Sequence, residues 1–321
     1  MKQTVYITRK LPDEAVAPLK EKYEVKMWPH EEVPMTYEEL VKEAAEADAL
    51  WTMLSDQVDR NLITNAPKLK VISNLAVGYN NIDVQAAAER GIVVTNTPGV
   101  LTETTADLAF SLLLASARRI TEAERELREG KWKAWSAMQL TGMDVYGATL
   151  GIVGMGRIGE AVARRAKGFG MDVYYHNRTR KPEAEEMHGF VYSDLDDLLS
   201  NSDFVVLLTP LTEETKNMIG ARELSLMKET AVLINVARGG IVDEQALYEA
   251  LVHKKIWAAG LDVFEQEPVP LDHPLLTLPN VTVLPHIGSA SIRTRLKMMS
   301  MNAADIKAVL EGGQPENTVT P

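Results

Sequence analysis

Cysteine is absent from the chain, which excludes disulfides, thiolate nucleophiles and cysteine-held zinc or iron–sulfur centres. Its chemistry must come from other side chains or from a diffusible cofactor. Basic residues are in deficit: 34 Lys and Arg stand against 45 Asp and Glu, a formal net charge of -11. Nucleic acids and acidic membranes need clustered cations, so neither is an expected partner, and any anionic ligand must meet a local positive site. Long apolar runs are also missing. The longest, around Leu108–Ala117, is too short to cross a bilayer, and Met1–Thr8 lacks the profile of a signal peptide, so the expected location is cytoplasmic. There is no internal repeat and no low-complexity tract, so neither a solenoid nor a disordered scaffold is indicated. No metal site is expected.

What is present is globular material, 45% apolar and 25% charged over 321 residues, more chain than one core usually supports. Two domains are expected. Short β-rich runs at Thr4–Thr8, Glu24–Trp28, Ala49–Met53, Lys70–Asn74 and Ile92–Thr95 alternate with helical spacing such as Tyr37–Ala47, the pattern of an α/β unit with a parallel sheet. Thr97-Pro-Gly99 breaks the pattern, and a long helix is predicted from near Thr102, with capping-box spacing at Thr104 and Asp107. A second series of strands follows at Thr149–Val153, Asp172–Asn177, Phe204–Thr209, Ala231–Val236, Ala258–Val263 and Val281–Leu284, predicting a doubly wound sheet. A last helix carries Ile292, Leu296, Met299, Ala303, Ile306 and Leu310 on one stripe and is expected to pack back onto the first domain. The tail after Gly312 is expected to be loose. The predicted division is residues 1–99 plus 290–321, and residues 100–289.

Strand Thr149–Val153 runs into Gly154-Met-Gly156-Arg157-Ile158-Gly159 at the start of a predicted helix over Arg157–Phe169, the setting of a dinucleotide-binding loop. Gly154 permits the turn, Gly156 admits a pyrophosphate to the backbone amides, and Gly159 lets the helix approach the sheet. A glycine-rich turn in any α/β fold is the bland alternative. At the end of the next strand, an NAD enzyme carries an acid for the ribose hydroxyls; here Asn177 is followed by Arg178, Thr179, Arg180 and Lys181. Cations in place of a carboxylate favour NADP(H), with NAD(H) still possible if this loop is merely solvated.

Hydride transfer to a 2-oxo acid needs a cation for the carboxylate or carbonyl, a proton donor for the developing alkoxide, and a group that keeps the donor charged. Three late segments supply this set: Arg238 beside Gly239 and Gly240, Asp262 through Glu267 and Pro268, and His286 after Leu284-Pro285. Each follows a predicted strand, and ligands of open α/β sheets sit at the carboxyl ends of strands. Among the other histidines, His30, His188, His253 and His273 lie in polar or loop-like stretches without such partners, and His176 falls beside the cofactor loop.

With these motifs in order, the chain resembles the D-isomer-specific 2-hydroxyacid dehydrogenase family over essentially its whole length. The segments that carry the likeness are Val77-Gly78 within Leu75–Tyr79, Thr102–Asp107, Gly154–Gly159, Asn235–Asp243, Gly260–Pro268 and Pro285–Ala290. The resemblance implies a Rossmann NAD(P)-binding domain over 100–289 and a flavodoxin-like substrate domain formed by the remainder. It implies that Arg238 binds the substrate, that His286 is the acid/base and that Glu267 orients it. The amides of Val77 and Gly78 would hold the carboxylate, with Leu54 and Ser289 also at the substrate. Thr105, Thr209, Pro210, Thr215, Ala237, Asp262 and Gly288 would join the cofactor set. Within the family the chain is similar to the glyoxylate/hydroxypyruvate reductases through Leu54-Ser-Asp, Gly130–Trp135, Asn177–Arg180 and His286–Ala290. That likeness implies a homodimer in which Trp135 shapes the neighbour's substrate pocket; simple packing of Trp135 in the interdomain or dimer core is the alternative. Other expectations for the function are a 2-ketogluconate reductase (gluconate 2-dehydrogenase) or another D-2-hydroxyacid dehydrogenase. A non-enzymatic alternative is an NAD(H)-sensing corepressor.

Overall fold

The chain's short apolar runs become thirteen strands among residues 2–321, which a computed structural model describes. In chain order they are β1 (Thr4–Ile7), β2 (Glu24–Met27), β3 (Ala49–Thr52), β4 (Val71–Asn74), β5 (Val93–Thr95), β6 (Thr149–Val153), β7 (Asp172–His176), β8 (Val191–Tyr192), β9 (Phe204–Leu207), β10 (Val232–Asn235), β11 (Ala258–Leu261), β12 (Val281–Val283) and β13 (Thr318–Val319). They fall in two compact units, one running to Leu101 and resuming over Ala290–Pro321, the other spanning Thr102–Ser289.

In the first unit the strand order is β13-β5-β4-β3-β1-β2, parallel throughout except for β13 against β5. Every residue of β3 and β4 is buried, as a strand covered by helices on both faces requires. Helix Ile292–Leu310 packs on β4 and on helix Asp13–Lys20, as its apolar content led us to expect. Its inward face matches the predicted apolar stripe only in part, fully at Ala303 and Ile306. Thr294, Met298, Asn302, Ala303, Asp305 and Ile306 are buried, while Ile292 is 84% exposed. The polar members are buried because they have partners: Asn302 Nδ2 donates to Ser73 Oγ at 2.7 Å, and Asp305 accepts from the Glu316 amide at 3.0 Å and from Asn317 Nδ2 at 2.9 Å. The last contacts also correct the expectation of a loose tail, since residues beyond Gly312 return as β13.

The second unit has the order β12-β11-β10-β9-β6-β7-β8, all parallel. The winding reverses at β6, between β7 and β9, which opens a crevice at its carboxyl end. Helix Thr102–Ala117 lies on β10 and β11. It can do so closely because a Cβ at Gly260 would stand 2.7 Å from Leu112 Cγ and from Ile234 Cδ1. This helix starts two residues before Thr104, so the capping box does not form; Asp107 instead accepts from Arg165 Nε at 2.8 Å. Most predicted strands overran their carboxyl ends by one or two residues, because β-prone residues continue after the ladder stops. Those overrun positions begin the loops described next. Among the described residues, no helix is long and apolar enough to cross a membrane.

Candidate active site

Strand register gathers the predicted cofactor residues. Val153 is level with His176 on one side and Leu207 on the other, so Gly154, Asn177 and Thr209 all leave the same edge of the sheet. Gly154 has φ 105°, and a Cβ there would come within 2.7 Å of the Thr209 nitrogen; one at Gly159 would collide with the Gly154 carbonyl. At Gly156 nothing lies within 4 Å of a Cβ position, which leaves the start of helix Arg157–Gly168 open. That helix has no side-chain cap, and its first amides, including those of Arg157 and Ile158, are the donors an anion meets. Thr209 Oγ1 is buried with no protein partner. An open amide cradle beside an orphaned hydroxyl fits a dinucleotide pyrophosphate. Thr215 Oγ1 donates to the Pro210 carbonyl at 2.7 Å and accepts from the Thr212 amide at 2.8 Å, closing the loop that carries Thr209 and Pro210.

The cations after β7 are unequal. Arg180 grips Glu185 with Nη2 at 2.7 Å and Nε at 2.8 Å, and Arg180 and the Tyr175 hydroxyl hold the Glu185 carboxyl down at about 2. Lys181 pairs with Glu160 at 3.3 Å, and Asn177 Nδ2 bonds the Thr179 carbonyl at 2.8 Å. Arg178 is exposed and makes no hydrogen bond or ion pair among the described residues.

A second level edge carries the catalytic candidates. Asn235, Leu261 and Val283 are in register, so the loops beginning Val236, Asp262 and Leu284 emerge together. His286 Nδ1 lies 2.7 Å from Glu267 Oε2, and Glu267 Oε1 accepts the Phe264 amide at 3.0 Å. Burial alone would raise the Glu267 pKa, but the bond and charge of His286, the Phe264 amide and Arg238 together hold it below the usual carboxylate range. Burial lowers the pKa of Arg238, and Glu267 opposes this. Asn235 bridges the turn to Arg238, taking the Ala237 amide on Oδ1 and giving Nδ2 to the Arg238 carbonyl. The backbone at His286 is left-handed, φ 55°. Asp262 fixes it: its carbonyl accepts the His286 amide at 2.9 Å, and its carboxylate accepts the Ile287 and Gly288 amides, each at 2.8 Å. Burial raises the pKa of Asp262, and those amides counter it. Thr105 and Asp262 both border Gly288, within 3.4 Å of its would-be Cβ.

The family model for the D-isomer specific 2-hydroxyacid dehydrogenase NAD binding domain matches residues 110–288. The chain belongs to this family. It is 52% identical over 320 residues to a glyoxylate reductase of Korarchaeum cryptofilum, with 99% of this chain and 96% of that one covered. It is also 51% identical to a glyoxylate reductase of Thermococcus gammatolerans, again covering 99% and 96%. Among solved structures it is similar to an NADPH-dependent glyoxylate/hydroxypyruvate reductase of Sinorhizobium meliloti in complex with NADP and malonate, at TM-score 0.88 and 36% identity, covering 99% and 97%. The chain is therefore a nicotinamide-dependent oxidoreductase acting on CH–OH donors.

In the dehydrogenase's first unit, Leu54 follows β3 and Val77 and Gly78 follow β4, while in the second unit Ser289 closes the His286 loop. Trp135 stands apart at 80% exposure, between Arg128 and Thr149 where there is neither helix nor strand, so it is not packed in a core of its own chain. Sequence reasoning missed a second histidine–carboxylate pair. His273 Nε2 lies 3.0 Å from Glu244 Oε2, and Glu244 Oε1 accepts the Glu265 amide at 2.7 Å, anchoring the loop that carries Glu267. His253 also faces an acid, Glu249, at 3.3 Å, so neither histidine lacks a partner as expected. Those pairs join separate segments or one helix face, and only the second has a spacing that could have been read. A Cβ at Gly239 would collide with the Phe264 carbonyl, so the Arg238 and Glu267 loops are pressed together. Among the described residues, no group of three His, Asp or Glu is placed to hold a metal ion.

Proposed function

We propose that this dehydrogenase reduces glyoxylate and hydroxypyruvate to glycolate and D-glycerate, with NADPH favoured over NADH. The observation that carries the reading is the 2.7 Å His286–Glu267 pair, on the same sheet edge that carries Arg238. The names of relatives near half identity add glyoxylate as the substrate. The Gly154–Gly159 loop would hold the pyrophosphate of a nicotinamide dinucleotide, which would supply hydride chemistry at C2 of the oxo acid. His286, charged on both ring nitrogens, keeps Nδ1 on Glu267 and gives the Nε2 proton to the carbonyl oxygen, completing the CH–OH group. Glu267 stabilises that charge and fixes the ring. Arg238 binds the carboxylate and the carbonyl, and the amides of Val77 and Gly78 hold the carboxylate. Leu54 and Ser289 shape the pocket, Trp135 shapes the neighbouring subunit's pocket, and the unit containing Val77 is the substrate domain.

Arg178 is the cation open to a 2'-phosphate, since Arg180 and Lys181 are tied to acids. One charge-assisted bond contributes about 1.5–3 kcal/mol, so a preference of roughly tenfold follows at this exposed position. The chain works as a homodimer: within residues 120–146, Ile120, Leu127, Trp132, Trp135, Met138 and Tyr146 are 52–83% exposed, and large apolar side chains left open in one stretch suit an interface between copies.

Initial rates with NADPH and NADH against glyoxylate, hydroxypyruvate, pyruvate and 2-ketogluconate test the reading. The highest kcat/KM is expected for NADPH with the first two acids. If NADH wins, the cofactor reading falls; if 2-ketogluconate dominates, the substrate reading falls.

A further inference from the structure

The loop after β4 is held from below by side chains that touch no reacting atom. Three successive carbonyls are bonded: Ala76 accepts from the Thr97 amide at 2.9 Å, Val77 from Asn96 Nδ2 at 2.7 Å, and Gly78 from Asn74 Nδ2 at 2.9 Å. A trans peptide points its N–H away from its own carbonyl, so holding these three oxygens aims the amides of Val77, Gly78 and Tyr79 the other way. Among the described residues, no acceptor is recorded for those three amides.

The asparagines are themselves fixed. Asn74 is fully buried, takes Thr52 Oγ1 on its Oδ1 at 3.1 Å and reaches Asn81 Oδ1 at 3.1 Å. Asn81 Nδ2 in turn bonds the carbonyls of Met53 and Asp56, at 3.1 and 2.9 Å, which flank Leu54. From the C-terminal helix, Asn302 Nδ2 donates to the Asn74 carbonyl at 3.1 Å. The loops after β3 and β4 are thereby one piece, joined by neutral amides. Neutrality matters, because a carboxylate in either place would turn an acceptor toward an acceptor and add a charge of the substrate's own sign.

We propose that Asn96 and Asn74 are positioning residues for the substrate carboxylate: by fixing the carbonyls of Val77 and Gly78 they hold the following amides as preorganised donors. This rests on the reading that the Val77–Gly78 loop binds the carboxylate. The test is steady-state kinetics of Asn96→Ala with glyoxylate and with glyoxal, a related aldehyde without a carboxylate, together with inhibition by oxalate. Expected is a rise of about tenfold in the KM for glyoxylate and a parallel rise in the inhibition constant of oxalate. kcat should stay within about threefold, and kcat/KM for glyoxal and the KM for cofactor should hold. The isosteric Asn96→Asp should raise the glyoxylate KM further, and serves if the alanine variant folds poorly. Equal losses with both aldehydes, or a fall in kcat at constant KM, would overturn the inference. Amide shifts of Val77 and Gly78 in the unaltered enzyme on oxalate addition separate the two levels. If they do not move, the underlying reading fails; if they move but Asn96→Ala leaves oxalate affinity unchanged, only the positioning role fails.

Discussion

The two units equip their sheet edges in opposite ways. The first surrounds the loops after β3 and β4 with asparagine and threonine, and the one ion pair buried on both sides among its described residues, Arg9–Asp56 at 3.3 Å, ties the loop after β1 to the loop after β3. Asp56 is also tied to the Thr8 hydroxyl and the Met53 amide, and burial still raises its pKa. The second unit places Arg238, Asp262, Glu267 and His286 on one edge. The difference follows from the tasks proposed for each. Gripping a carboxylate calls for donors whose charge and position do not change with pH, whereas passing a proton calls for a group that titrates. Neutral amides suit the first, and a histidine–carboxylate pair the second.

Breaking the charged half should have the largest effect. His286→Ala should lower kcat by about 10²- to 10⁴-fold, the usual contribution of a general acid, while cofactor affinity measured by calorimetry is retained. Glu267→Gln should cost less, about 10- to 100-fold in kcat. In that variant the loss should fall on kcat with cofactor affinity retained, because Glu267 touches the imidazole; an unchanged kcat would refute the role given to Glu267. Its effect on folding has a definite sign. A carboxyl whose folded pKa is depressed stabilises fully above its unfolded value, near 4.3, and loses this as pH falls through the lower folded value. The difference in stability between the enzyme and Glu267→Gln should therefore shrink on acidification below about pH 4.3, as urea titrations would report.

The contrast sharpens at the cofactor loop, where the effects are smaller. Arg178→Ala should reduce the NADPH over NADH ratio of kcat/KM by about tenfold, and Arg180→Ala by less, because its guanidinium is engaged by Glu185. The smallest effect is spectroscopic. With Arg180 and the Tyr175 hydroxyl bonded to it, the Glu185 carboxyl should titrate near 2 by NMR and rise in Arg180→Ala, where only the Tyr175 bond still lowers it.

Much of this was readable from residue order. Strands buried on both faces are nearly continuous apolar runs, so β3, β4, β6, β9 and β10 announce themselves. Gly154–Gly159 and His286 follow strands, and parallel register then levels them without further information. The residues that escaped notice act through partners distant in sequence. Asn302 and Asp305 are buried because Ser73 and Asn317 meet them, and hydropathy could only read them as outward-facing. The same holds for Glu244 with His273, for Asn96 with Val77, and for the acid that restrains Arg180. Periodicity reports which face is apolar; it does not report which polar group finds a bond.

The left-handed backbone at His286 works against the side chain it carries. A β-carbon there costs about 1 kcal/mol that glycine would avoid, a cost set against the bond that the imidazole makes to Glu267. Placing the proposed proton donor at 286 therefore ties it to a main-chain shape that glycine would adopt at less cost.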